Sequence, residues 1–193
     1  QYHLKSDLDM SCFISINGLN HEDEPINYFP HSFNLAVIDG KVVHTPYFVF
    51  RMFNMLGENK LHTSINDGLD ISEDDSIGVI SAMDEGSIQI FAWRYDDLDQ
   101  LEKSLSFTVE NLNSKFQNAN NFHVNAYLID ETHTNPYTYY EIEGNDNNRG
   151  QYNLETAELE LVSSFDKSIS GGNLSFDFDL KNYSVLLLTV EPN

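Results

Sequence analysis

Residues 76–95 read SIGVISAMDEGSIQIFAWRY, and the parsing of this stretch decides the fold. A turn-forming triplet, DEG at 84–86, separates two runs rich in Ile, Val, Ala and aromatic residues. A period of two places successive side chains on opposite faces of a strand, so Ile88, Ile90 and Ala92 share one face and Gln89, Phe91 and Trp93 the other. Two such runs joined by a short glycine-bearing turn predict an antiparallel hairpin. The face that carries Phe91, Trp93 and Tyr95 is read as a second core layer, with an exposed aromatic strip for stacking sugars as the alternative.

Toward the C-terminus the same rhythm returns in LSFTVEN (105–111), FHVNAYLID (122–130), AELELVSS (157–164), NLSFDFDL (173–180) and YSVLLLTVE (183–191). With the hairpin these make seven short strands spaced by polar turns, which predicts a mainly β chain folded as an antiparallel β-sandwich. Toward the N-terminus the period lengthens to about 3.6 residues. In TPYFVFRMFNMLGENK (45–60), Thr45 is placed as an N-cap, Pro46 takes the first helical position and Gly57 follows the last apolar residue. These signals predict a helix over 46–56, with Val49, Phe53 and Leu56 as its buried stripe.

Before the helix, MSCFISI (10–16) reads as a strand buried on both faces, followed by the polar loop NGLNHEDEPINYFPHS (17–32). One strand and one helix cannot enclose a core alone. The chain is therefore divided into a strand-loop-helix unit over 1–60 and a β-sandwich domain over 61–193.

The 31 acidic residues face only 10 Lys and Arg, and the net charge of -21 repels phosphate backbones, so nucleic acid is not an expected partner. No apolar run approaches the length of a membrane span, and no membrane partner is expected. Cys12 has no second thiol to bridge and the opening QYHLKSDLDM shows no secretory pattern, which together point to the cytoplasm. That opening also lacks an initiator Met, which predicts a piece of a longer polypeptide whose remainder is a partner.

The seven histidines are scattered singly, and the acids DISEDD (70–75) lack the regular spacing and central glycine of a calcium loop, so no metal is expected. Neither a nucleophile elbow nor a phosphate-binding glycine loop occurs, and no cofactor is expected. The chemically suggestive segment is YLIDETHTNPYTYYEIEG (127–144), which gathers Asp130, Glu131, His133, Asn135 and Tyr137 at the end of a strand. These residue types serve acid–base chemistry and also fill ordinary turns. Asn135 before Pro136 favours an extended turn, and short polar side chains satisfy loop backbone groups. Asp130, His133, Asn135 and Tyr137 are accordingly read as a structural corner, with ligand binding as the alternative.

Three segments taken together resemble glycoside hydrolase family 39, the β-xylosidases and α-L-iduronidases. DLDMSCFISI (7–16) with FNLAVIDGKVVHTPYFVFRMFNMLG (33–57) looks like that family's last barrel strand and last barrel helix. The 127–144 segment is similar to the family's sandwich segment, where an Ile-Asp pair, a His, an Asn and a Tyr precede a short helical turn. NYSVLLLTVEP (182–192) is similar to the strand that closes these enzymes.

The resemblance implies a remnant of a barrel ahead of the sandwich. It also implies that this chain holds no catalytic residue, because the family's two carboxylates belong to earlier barrel strands. The end of a barrel strand faces the active site, which makes Phe13, His21, Glu22, Asp23 and Glu24 candidate contacts to a carbohydrate ligand, with a solvated acidic loop as the alternative. The family's strand commonly carries a Trp, whereas Phe13 is the only ring here, and SFNLAV (32–37) stands where a Gly-Phe-Gly-Leu type of sequence is common. Such degeneracy resembles the glycosidase-like C-terminal regions of some AraC-type transcription regulators. The expectation is thus a non-catalytic C-terminal region of such a regulator, sensing a ligand or mediating assembly. The alternative is the C-terminal part of a family 39 glycosidase whose catalytic glutamates lie upstream. A strand at 10–16 without barrel neighbours would leave an apolar edge, which predicts self-association.

Overall fold

The computed structural model describes residues 36–37, 42–43, 45–65, 76–95, 102–112, 116, 119–136, 138, 152 and 157–193. The strand expected at 10–16, the residues Phe13, His21, Glu22, Asp23 and Glu24, and Tyr137 lie outside the described residues. In chain order the elements are β1 (Ala36–Val37), β2 (Val42–Val43), helix α1 (Thr45–Asn54), β3 (Asn59–Lys60), β4 (Ile77–Met83), β5 (Ile88–Arg94), β6 (Lys103–Val109), β7 (Asn121–Ile129), β8 (Leu161–Ser168), β9 (Leu174–Leu180) and β10 (Ser184–Pro192). The seven strands read from the alternation are all present, and the fold is mainly β in antiparallel sheets.

Six strands form one sheet in the order β3-β4-β5-β10-β7-β8, and β6 pairs with β9 in a separate two-stranded ribbon. The chain crosses from sheet to ribbon and back twice, from β5 through β6 to β7 and from β8 through β9 to β10. β8 begins at Leu161 instead of the expected 157. Its ladder with β7 slips at Ala126/Tyr127, and the carbonyl of Ala157 is taken by the Arg51 guanidinium of α1, so the preceding residues leave the sheet.

The inner face of the large sheet packs on the ribbon. Ile88, Ile90 and Ala92 of β5, Phe122, Val124, Ala126 and Leu128 of β7, and Leu186, Leu188 and Val190 of β10 meet Leu174, Phe176 and Leu180 of β9 in one apolar cluster. Phe176 links the layers, stacked on Phe107 of β6 at 5.8 Å and edge-on to Phe165 of β8 at 5.9 Å.

The outer face has two halves. One is apolar and lies under α1: Phe91, Ile129 and Leu187 form a second cluster with Val43, Phe48, Met52 and Tyr152. Phe91 and Trp93 therefore belong to a core layer, while Tyr95 beyond them is half exposed. The other half is polar and carries His123 and Asn125 of β7, Ser164 and Asp166 of β8, and Glu191 of β10, because the alternate residues on these strands all face inward.

The stripe that α1 buries differs from the expected one. Phe48 and Met52 are fully enclosed, whereas Val49, Phe53 and Leu56 are only partly buried around them. The reason is that Phe48 meets Tyr152 edge-to-face at 5.7 Å from outside the sheet, and this third wall rotates the helix toward Phe48. Phe53 still lies on Phe91 at 4.4 Å. Gly57 ends the helical segment where a side chain could not fit, since a Cβ would stand 2.3 Å from the Met83 carbonyl carbon. Its amide donates to Gln89 Oε1 at 2.9 Å, which ties the helix exit to β5. Gly78 of β4 leaves room for the Trp93 ring, which a Cβ there would strike at 2.0 Å.

Truncating the enclosed ring separates these roles. Phe48→Ala is expected to lower unfolding stability by about 3–5 kcal/mol, and Phe53→Ala by clearly less, because the second ring is only partly enclosed. Denaturant titration of the two variants is the measurement, and equal losses would contradict the rotated stripe.

Candidate functional site

The corner after β7 is built on one carboxylate. Asp130 is 4% exposed, and its Oδ1 accepts from the backbone N–H groups of Thr132 and His133, both at 2.7 Å. The Thr132 hydroxyl at 3.0 Å and the His133 Nδ1 at 3.0 Å reach the same oxygen. Short polar side chains that bond backbone groups two and three residues on are what turns the chain at the end of a strand. The Asp130 amide in turn donates to the His133 carbonyl at 3.1 Å, closing the loop on itself.

Asn135 completes the corner. Its Nδ2 donates to the Asp130 carbonyl at 3.0 Å, and its Oδ1 accepts from the Thr138 amide at 3.4 Å. The Thr138 hydroxyl donates to the Glu131 carbonyl at 2.5 Å. Thus the structure brings Asp130, His133 and Asn135 together in one hydrogen-bonded unit.

Thr134 is the residue that sequence reasoning missed. It has φ of 46°, a left-handed backbone unusual for a β-branched residue, and its side chain is fully buried. Its hydroxyl donates to the Leu128 carbonyl at 2.7 Å and accepts from the Glu160 amide at 3.1 Å, so it pins the end of β7 to the approach to β8. Nothing in the letters THTNP marks which threonine turns inward.

Burial alone would raise the Asp130 carboxyl pKa, but the Thr132 and His133 amides, the Thr132 hydroxyl and the His133 ring together outweigh it, and the group is held below its ordinary value. A general acid needs the opposite shift. Glu131 lies on the surface, with Lys181 Nζ at 3.6 Å from its carboxylate. The corner has the chemistry of a scaffold: its carboxylate is buried, favoured in the ionised form, and accepts from four donors on one oxygen.

An open cleft of about 450 Å³ borders this corner between β7, β8 and β9. Glu102, Asp130, Asp177 and Asp179 contribute acids to its lining against one cation, Lys181, and the His133 ring, so it disfavours anions. Among the described residues no group of three or more His, Cys, Asp or Glu could hold a metal ion, and no helix is long and apolar enough to cross a membrane.

No protein-family model matches the sequence, and no curated protein matches it. Solved structures do match in three dimensions. The GH39 enzyme from Xanthomonas axonopodis pv. citri superposes with a TM-score of 0.60 at 12% identity, over 84% of this chain and 33% of its own. A bacterial orthologue of human α-L-iduronidase gives 0.58 at 17% identity, over 79% of this chain and 28% of its own. N2152 from Neocallimastix frontalis gives 0.54 at 13% identity, over 79% and 31%. At these identities the likeness is one of fold, and the chain spans about a third of the length of the structures it matches.

Two outcomes test the scaffold. Thr134→Val keeps the shape of the side chain but leaves the Leu128 carbonyl and the Glu160 amide without their hydroxyl partner, an expected loss of about 1–3 kcal/mol. Because the folded Asp130 pKa lies below its unfolded one, its contribution is full above the ordinary carboxylate range and is lost as pH falls through the depressed folded value. Acid unfolding of Asp130→Asn should therefore show a flatter pH dependence in that window than the parent chain, and an unchanged slope would count against the depressed carboxylate pKa.

Proposed function

We propose that this chain is the non-catalytic, glycosidase-like C-terminal region of a larger polypeptide, with 1–60 the last strand and helix of a barrel and 61–193 the β-sandwich. The observation that carries the reading is the state of Asp130, a buried carboxylate whose one oxygen accepts from four donors and whose pKa is depressed. Such a group is unsuited to protonating a leaving oxygen. The corner holds β7 and β8 in place so that the outer face of the sheet can receive α1.

The parent in this reading is a cytoplasmic AraC-type transcription regulator, in which the region senses a ligand or mediates assembly. The acidic charge of -21 supports a division of labour in which another part of the parent meets DNA. The ligand class is a carbohydrate, contacted through Phe13 and through His21, Glu22, Asp23 and Glu24 of the following loop, and a second copy of the chain is a further partner. The likeness in fold to the GH39 enzyme favours a second reading, the C-terminal part of a glycosidase whose two catalytic carboxylates belong to the rest of the parent.

Activity assays on the 193-residue chain test the shared core of both readings. No release of nitrophenol from aryl β-xylosides or aryl α-L-iduronides is expected, and no salt-dependent retention of duplex DNA. Turnover of either glycoside that is lost in Asp130→Asn or Glu131→Gln would overturn the non-catalytic reading. The parent's own sequence separates the two readings: paired barrel glutamates belong to the glycosidase, a basic helix-turn-helix to the regulator.

A further inference from the structure

The polar half of the outer sheet face, remote from the Asp130 corner, holds an ordered line of side chains. Asp166 Oδ1 lies 2.7 Å from His123 Nδ1, and His123 Nε2 lies 2.9 Å from Ser164 Oγ. Asn193 Nδ2 donates to the same Asp166 oxygen at 3.1 Å and fixes its position. The sheet register generates the line: His123 sits directly across from Asp166, while Ser164, two residues before Asp166 on the same face, lies diagonal to the ring. The ring thus meets a carboxylate at Nδ1 and a hydroxyl at Nε2, with the Asn125 side chain as a further hydrogen-bond partner.

We infer that Ser164, His123 and Asp166 form a nucleophile, base and positioning acid for acyl transfer, with small activated esters as the substrate class. The functional requirement is a hydroxyl within hydrogen-bond reach of a base that a third group orients, and both distances meet it. A cross-strand pair that served the sheet alone would need only the His123–Asp166 contact. Here the far nitrogen is also directed, onto a hydroxyl that is open to solvent. Among the described residues β8 is the edge strand of the sheet, which leaves its outer side open to an ester.

The openness also sets the substrate class. Among the described residues the site has no enclosing walls to bind a large substrate, and its acceleration comes from the base and the nucleophile. An ester whose leaving group departs as a stable anion needs no acid, which selects nitrophenyl esters over alkyl esters or amides. The Ser164 oxygen attacks the carbonyl carbon as its proton passes to His123 Nε2. The tetrahedral intermediate then breaks its bond to the nitrophenolate, which leaves with the electron pair, and His123 gives its proton to water. Water, deprotonated by the same nitrogen, next attacks the acyl-serine carbonyl; the bond to the Ser164 oxygen breaks, His123 returns the proton to that oxygen, and the carboxylic acid leaves.

The ring must be neutral to act. Its hydrogen bond to Asp166, with the charge of Asp166, the Asn125 side chain and Glu191 across the strand on β10, raises its pKa above the ordinary imidazole value despite an opposing desolvation. Acylation should therefore rise with pH through that raised value.

The test is acylation of the whole chain by 4-nitrophenyl acetate, followed by peptide mass mapping. The expected result is an acetyl group on Ser164, absent in Ser164→Ala, with the acylation rate lowered on the order of 100-fold in His123→Ala. Asp166→Asn removes the contact that most raises the ring's pKa, so the midpoint of its pH–rate profile should move down. All three positions lie on the solvent side of the sheet, and circular dichroism verifies that the variants fold. Acetylation confined to lysines or to His123 itself, or a Ser164 rate unchanged in His123→Ala, would overturn the inference.

Discussion

Strand β10 sets the terms for everything around it. It pairs with β5 on one side and β7 on the other over nearly its whole length, and every residue from 186 to 190 is at most 8% exposed. An antiparallel strand usually wets one face. This one covers both, sending Leu186, Leu188 and Val190 to the ribbon and Leu187 to the helix. The ribbon alone would leave Phe91, Ile129 and Leu187 in water, so a second covering layer is a physical requirement of the sheet. Helix α1, with Phe48 and Met52 enclosed, supplies it.

That requirement explains what could be read in advance. Strand alternation is local, and the hairpin of β4 and β5, like the strands after it, appears where residues such as Ile88, Ile90 and Ala92 recur at period two. The helix was legible from Pro46 and Gly57 for the same reason. Strand order was not, because the insertion of β10 between β5 and β7 depends on residues separated by about a hundred and about sixty positions. The helix stripe was legible only to within part of a turn, since Tyr152, distant in sequence, decides that Phe48 is enclosed.

The polar residues divide along similar lines. Asp130, His133 and Asn135 lie within six positions of one another, and a local turn suffices to gather them. The inward threonine, Thr134, is invisible in the letters because its partners, Leu128 and Glu160, are set by a β7–β8 register that slips nearby. The His123, Ser164 and Asp166 line is likewise a product of register: three ordinary surface residues become neighbours only when two strands some forty positions apart pair. Local chemistry can be read from a segment, whereas chemistry assembled across strands needs the ladder.

The place of β10 in the sheet has a consequence for how the protein is made. Synthesis proceeds from the N-terminus, yet the strand that joins β5 to β7 leaves the ribosome after both of them. Until residues 184–192 emerge, β5 and β7 each present an open apolar edge with no partner in the nascent chain. The two central pairings of the sheet therefore wait for β10, which must insert between two strands made before it. Such edges are the surfaces on which nascent chains pair with one another, which makes the interval before β10 appears the time at which this chain most depends on chaperone cover.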